Sequence, residues 1–335
     1  MSRRGWVLFA LMSVLWGIPY LMIKVAVEGG ISVPMVVFAR TALGAVLLLP
    51  PAFWGGRGRG TPAALRRHWR MILLLATLEI LGPWALVSDA ERHLSSSMTG
   101  LLIAAVPIVG VVLARAAATW NGRRRGGSGH GEADAEVERL GAGRWAGLLL
   151  GLAGVAVLAW PHLGGNAWSI GEIMLVVLGY SIAPMILARR LGDVPSLPLT
   201  AACLALAALI YAGPAAATWP ESVPDGTVLA ALAGLGVVCT ALAFVIFFEL
   251  IREAGTSRAM VFTYINPAVA VLAGVLFLDE PLTGGIVGAF VLILGGSVLA
   301  TSRRAQDPPG GTGRRDEPGP DVQADTLGRG TPAIQ

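Results

Sequence analysis

Charge is scarce in this chain. Only 14% of its 335 residues are Asp, Glu, Lys or Arg, while 55% are hydrophobic and the mean hydropathy is +0.68. A soluble protein needs a charged surface, so the shortage excludes one or two water-soluble domains. Cysteine is scarcer still. Cys203 and Cys239 both lie inside apolar runs, which excludes a disulfide framework and reads as two small buried hydrophobes. The four histidines, His68, His93, His130 and His162, fall in loops or at the ends of apolar runs, without metal-ligand spacing. The chain has no Walker-type glycine loop for ATP and no Ser/His/Asp constellation, so neither direct ATP coupling nor an enzyme is expected, and no cofactor. The isoelectric point near 9.6 does not point to nucleic acid, because the arginines fall almost wholly in loops. Strict apolar/polar alternation is missing too, which excludes a transmembrane barrel.

Long apolar runs are what the chain has in abundance. A membrane-spanning helix needs roughly 20 mostly apolar residues. Ten stretches meet or approach this: 6–27, 34–54, 70–88, 96–118, 143–161, 170–188, 198–219, 228–250, 258–278 and 283–301. The first reads as an uncleaved span rather than a signal peptide, since it holds Trp16, Pro19 and Lys24 and lacks a small-x-small cleavage site. With the N-terminus in the cytoplasm, 22 of the 25 Lys and Arg residues fall on the inner side; Arg92 is outside, and Lys24 and Arg40 lie within spans. The positive-inside rule therefore predicts ten spans with both termini cytoplasmic. Residues 119–142 and 302–335 are polar, glycine-rich and charged; they read as a disordered cytoplasmic loop and tail.

The two halves of the chain echo one another. Pro107 aligned on Pro267 brings Glu91-Arg92-His93 onto Ile251-Arg252-Glu253 without a gap. Trp16-Gly17 falls on Tyr180-Ser181, Pro34 on Pro198 and Pro50 on Pro214. Gly143-x-x-x-Gly147 falls on Gly284-x-x-x-Gly288, and Gly154 on Gly295, which suggests close packing of the fifth and tenth helices. The expected organisation is an all-α membrane protein of ten transmembrane helices in two five-helix repeats, residues 6–161 and 170–301. An odd number of helices per repeat makes the second copy inverted relative to the first, as is usual in secondary transporters.

Trp16-Gly17 with Lys24 seven residues on, Arg40 early in the second run, and the endings Pro107…Glu138-Arg139-Leu140 and Asn266-Pro267…Asp279-Glu280-Pro281-Leu282 resemble the EamA family of the drug/metabolite transporter superfamily. The resemblance covers about residues 6–301. It implies ten helices, residence in the inner membrane, and export or exchange of small metabolites such as amino acids and their derivatives. The loop 119–142 departs from the family's compact connection. A nucleotide-sugar or lipid-linked metabolite carrier is the alternative, but a large anionic substrate wants several cations, and only Lys24 and Arg40 lie within spans. A non-transporting polytopic protein is the remaining one, though it would have no need of an ionisable residue in mid-span.

Such residues are expensive in a bilayer and so are candidates for function. Glu79 sits near the middle of its run; it is either a carboxyl that exchanges protons or one paired in helix packing. Lys24 faces a cavity, or snorkels outward or pairs with Glu28. Arg40 binds substrate or pairs between helices. Glu172 opens the sixth run, where an acid suits a helix N-terminus, and Glu249 closes the eighth. Trp16, Tyr20, Trp84, Tyr180 and Tyr264 are aromatics for a cavity wall or the interface. Asn266 before Pro267 marks a helix broken at depth. The candidate substrate-binding set is therefore Trp16, Tyr20, Lys24, Arg40, Glu79, Trp84, Tyr180, Tyr264 and Asn266. The expected partners are a small-molecule substrate, the bilayer and protons.

Overall fold

The computed structural model describes residues 1–53, 61–124, 142–162 and 165–301. Among them every element is helical. Seven helices are long and apolar enough to cross a membrane: α1 (Arg3–Glu28), α2 (Val33–Phe53), α3 (Trp69–Ala90), α4 (Ser96–Ala117), α6 (Ala167–Arg190), α7 (Ser196–Ala217) and α8 (Gly226–Ala254). Three shorter apolar helices stand where the remaining spans are expected: α5 (Ala142–Ala159), α9 (Asn266–Phe277) and α10 (Gly284–Thr301). The loop expected over 119–142 starts later than its composition suggests, because helix continues from Val106 to Arg124. Residues 125–141 and the tail 302–335 lie outside the described residues.

Continuous helix is what the apolar runs dictate, since in hydrocarbon each backbone polar group must be satisfied within its own segment. Prolines mark most of the departures. α1 is interrupted at Trp16–Ile18, just before Pro19. α4 is interrupted at Ala104–Ala105, before Pro107, and α9 is separated at Ile265 from the 3₁₀ turn Met260–Tyr264, before Pro267. Within α3 the segment Thr77–Leu81 widens to a π-helix, in which the Gly82 N–H donates to the Thr77 carbonyl. Pro83 has no N–H to return to Glu79, so ordinary helix cannot be kept there. α8 widens in the same way over Gly234–Leu242. Shifted by the spacing between Pro107 and Pro267, the interruption in α4 falls on the one before α9. The same shift carries the π segment of α3 onto that of α8.

α2 lies along α7, α4 along α9 and α5 along α10; α3 packs on α6, and the first part of α1 on α8. Exchanging each helix of the first five for its counterpart in the second five maps this set of pairs onto itself. The helix ends are tied across the chain. Arg4 and Arg252 both reach Glu249, and Ser2 bonds Glu253, so α1 begins against the end of α8. His68 meets Asp193 in the turn after α6, and the ring holds that carboxyl below its usual range. The outward surface is apolar, with Trp160, Trp168 and Trp219 all strongly exposed near helix ends, as membrane-interface anchors are.

The close approach of α5 and α10 is present, on the echoed Gly147 and Gly154 of α5 but on Gly296 of α10, which is not part of the echo. A Cβ on Gly147 would run into the backbone of Gly296, Leu299 and Ala300; one on Gly296 would meet the backbone of Gly147 and Gly151. Gly154 likewise abuts Leu292 and Ile293, whereas Gly143, Gly284, Gly288 and Gly295 have nothing within 4 Å of a built Cβ. Cys203 and Cys239 are free and buried. Glu172 does not sit at the start of its helix: α6 begins five residues earlier, and the Trp168 indole N–H donates to the buried Glu172 carboxylate at 3.0 Å.

Candidate functional site

The centre of the molecule is built around Arg40. α2 carries this residue about two turns from its start, on the face turned toward Trp84 of α3 and Thr240 of α8, and only 8% of it is exposed. Its guanidinium lies 3.6 Å from the centre of the Trp84 ring, and its Nε donates to Thr240 Oγ1 at 3.0 Å. A desolvated cation on an indole face is worth about 2 kcal/mol. Thr240 donates its own hydroxyl proton to the Leu235 carbonyl at 2.8 Å, five residues back, which the wide π turn makes reachable. Arg40 makes no other hydrogen bond among the described residues.

Tyr20, Glu79 and Tyr180 complete the group. Tyr180 lies within electrostatic reach of Glu79, Tyr20 and Arg40 and beside Trp84. All three of these side chains are only partly buried. Glu79 stands in the π segment of α3, where each residue turns through less than 100° and the side chain swings off the α-helical register. α6 presses on that segment at Gly179, where a Cβ would lie 2.5 Å from the Leu78 carbonyl oxygen. Gly179→Ala is therefore expected to lose about 1–3 kcal/mol and to displace Glu79. The check is a lower melting midpoint in detergent.

Five of the nine sequence candidates thus meet: Tyr20, Arg40, Glu79, Trp84 and Tyr180. The other four stand elsewhere. Trp16 packs in an aromatic cluster with Phe244, Phe247 and Phe262, at ring separations of 5.0–5.6 Å. With its amide assigned in the orientation that satisfies both groups, Asn266 donates to the carbonyls of Ser13 (3.1 Å) and Phe262 (3.2 Å), which lie beside the interruptions in α1 and before α9. Tyr264 ends the 3₁₀ turn that contributes Phe262. Lys24 is held structurally. Its ammonium donates to the carbonyls of Glu91 (2.7 Å) and Leu94 (3.0 Å) and pairs with Glu28 at 3.1 Å.

Sequence reading passed over a second polar group at that end of the bundle. Glu91, just after α3, is fully buried, and neither of its carboxylate oxygens has a hydrogen-bond partner. Glu280 accepts from the backbone N–H of Ser96 (2.7 Å) and Ser97 (3.0 Å), capping α4 from the far end of the chain. The turn that aims it is defined. Asp279 takes a left-handed conformation (φ 53), the Glu280 N–H returns to the Gly274 carbonyl at 3.2 Å, and Pro281 prevents further helix. The sequence signal was the Asp-Glu-Pro stop itself; Glu91 left none, because an acid beside Arg92 reads as a loop residue. A depression of about 440 Å³, lined by Val27, Ile31, Ser32, Asp89 and Arg92, opens nearby and is separate from the Arg40 group.

A model of the EamA-like transporter family matches residues 3–118 and again residues 167–302. The chain is 24% identical over 312 residues to the uncharacterized transporter YvbV of Bacillus subtilis, covering 90% of this chain and 93% of that protein. It is 27% identical over 306 residues to the uncharacterized inner membrane transporter YedA of Escherichia coli K12, covering 87% and 90%. An uncharacterized transporter of Archaeoglobus fulgidus is 22% identical over 312 residues, covering 90% and 100%. A solved crystal structure superposes with a TM-score of 0.60 at 20% identity, covering 90% of this chain and 98% of the other, which is a likeness of fold.

Proposed function

The chain belongs to the EamA-like transporter family, and from that premise we propose that it is a secondary transporter of the inner membrane that exports small zwitterionic metabolites, amino acids or their derivatives, by alternating access. It has ten spans in two inverted five-helix repeats, with both termini in the cytoplasm on the arginine-rich side. The swap symmetry of the helix pairs and the matching interruptions and π segments support the inverted repeat. The substrate site sits where the halves meet, as in other inverted-repeat carriers.

The observation that carries the substrate class is the group around Arg40. A guanidinium fixed on Trp84 and Thr240 offers its outer nitrogens to a carboxylate. Glu79 offers a carboxylate to an ammonium, and Tyr20, Tyr180 and Trp84 wall the space between with aromatic surface. A large, multiply charged anion is a poorer fit: with Lys24 engaged by Glu28 and two carbonyls, only one basic side chain serves the site. Glu79 takes up a proton when no ammonium is bound, and so links substrate movement to a proton gradient.

The test is transport in proteoliposomes: a panel of labelled amino acids and related metabolites, with and without an imposed pH gradient, for the wild type and Glu79→Gln. Saturable movement of an amino-acid-like compound is expected, accelerated by the gradient in the wild type and insensitive to it in the variant. Saturable transport of none of the panel would overturn the substrate class; undiminished gradient dependence in Glu79→Gln would remove that residue from the mechanism.

A further inference from the structure

Four helices bring oxygen atoms together at the Lys24 end of the bundle. Glu91 is fully buried with both carboxylate oxygens unpartnered. The hydroxyls of Ser96, Ser97 and Thr99, on the first turn of α4, are at most 1% exposed and also have no hydrogen-bond partner. Two of these hydroxyls meet Glu280: a Cβ built on Gly274 of α9 would have Ser97 Oγ at 2.5 Å, Ser96 Oγ at 2.8 Å and Glu280 Oε2 closer still. Buried polar atoms are nearly always paired, because each one left unpaired costs about 1–3 kcal/mol. Five such atoms within the short stretch of chain from Glu91 to Thr99 point to a ligand.

The chemistry of that ligand follows from what surrounds it. The charged groups facing Glu91 are Lys24 and Glu28 of α1, Arg40 of α2, and Glu280 from the turn after α9. Lys24 uses its three N–H donors on Glu28 and the carbonyls of Glu91 and Leu94, so none reaches the Glu91 carboxylate. Glu280 is committed to the two amides of α4. When Glu91 is ionised, three carboxylates stand against two basic groups and leave one negative charge uncompensated, which suits a monovalent cation rather than a divalent one. A proton would satisfy one oxygen of five; a hard metal ion takes oxygen ligands from carboxylates and hydroxyls together.

We propose that Glu91, with the hydroxyls of Ser96, Ser97 and Thr99 and with Glu280 at its edge, forms a sodium site. Bound sodium neutralises Glu91 and fastens the end of α3, the first turn of α4 and the turn after α9 to one another. On the transporter reading, on which this role rests, that fastening holds the outer side shut, and loss of the ion to the outside releases it. Tyr20, which faces both Arg40 and Glu91 and lies against α4 at Gly100, joins this site to the substrate group.

Binding is tested without transport, on the purified full-length protein in detergent with no substrate. A ligand that binds only the folded state raises the melting midpoint in proportion to the logarithm of its concentration above Kd. The midpoint is expected to rise with the logarithm of NaCl concentration above Kd, against choline chloride at constant ionic strength, and to do so far less with KCl. Glu91→Gln is expected to abolish the rise. Ser97→Ala removes a hydroxyl that is buried and unpaired without the ion, so it should not lower the sodium-free midpoint, while the sodium concentration at which the rise sets in increases about tenfold. The same rise in choline as in sodium, a midpoint that follows pH alone, or an unaltered sodium response in both variants would overturn the proposal. None of these outcomes bears on whether the chain transports amino acids.

Discussion

Arg40→Met is expected to lower kcat/KM for the proposed amino-acid substrate by about tenfold to a hundredfold, with little change in the amount of folded protein. A hydrogen bond to a charged group contributes about 1.5–3 kcal/mol, which corresponds to that range. The fold should survive because nothing else depends on the guanidinium. Thr240 keeps its bond to the Leu235 carbonyl, Trp84 remains packed among apolar neighbours, and a methionine follows the path of the arginine stem. Removing a buried cation also removes its desolvation cost. Arg40→Lys should fall between the two, since it retains the charge but not the planar fork that stacks on Trp84 and grips a carboxylate at two points. The measurement is initial-rate transport in proteoliposomes normalised to reconstituted protein. A wild-type kcat/KM in Arg40→Met would mean that the substrate is held elsewhere.

Gly296→Leu should have the largest effect on stability. A side chain at this position meets backbone atoms of Gly147 and Gly151 and no side chain that might rotate aside. α5 and α10 must therefore separate along their shared length. In a bilayer, helices are held by van der Waals contact between such small-residue faces, without a hydrophobic drive to restore it. Overpacking by a single methyl costs about 1–3 kcal/mol, and leucine adds three more carbons against a total stability of about 5–15 kcal/mol. The expected result is a melting midpoint lowered by ten degrees or more (about 2–4 °C per kcal/mol for a chain of this size), or failure to recover monodisperse protein. Gly288→Ala on the same helix has nothing within 4 Å and should change stability by less than about 0.5 kcal/mol. Equal behaviour of the two variants would contradict the α5–α10 contact.

These two residues also mark how far sequence reading reached. Arg40 was legible as a candidate, because a charge within an apolar run is costly and so stands out. Its partners were not: Thr240 is two hundred residues away and is an unremarkable hydroxyl in an apolar run. The echo of Gly154 on Gly295 led to the right pair of helices and the wrong glycine. Adjacent residues on a helix point about 100° apart, so Gly295 and Gly296 serve different neighbours although either fits a small-residue pattern. Lys24 pairing with Glu28 was one of its sequence alternatives; that the same ammonium also ties down the end of α3 was not legible, because its acceptors are backbone carbonyls, which every residue possesses.

By itself the sequence determined the helical membrane class, the approximate position of each apolar helix, the break before Pro267, and the family. The physical reason is that hydrocarbon forces each spanning segment to satisfy its own backbone, so length, apolarity and proline act locally and can be read locally. Tertiary structure decided which side chains meet. It placed Arg40 on Trp84, set Glu79 in a π turn pressed by α6, carried Trp16 and Asn266 into a separate aromatic cluster, and turned Glu280 onto the first amides of α4 while leaving Glu91 buried beside them. Those outcomes depend on the rotation of each helix about its axis and on contacts between distant parts of the chain. Neither is recorded in the run of residues along any one helix.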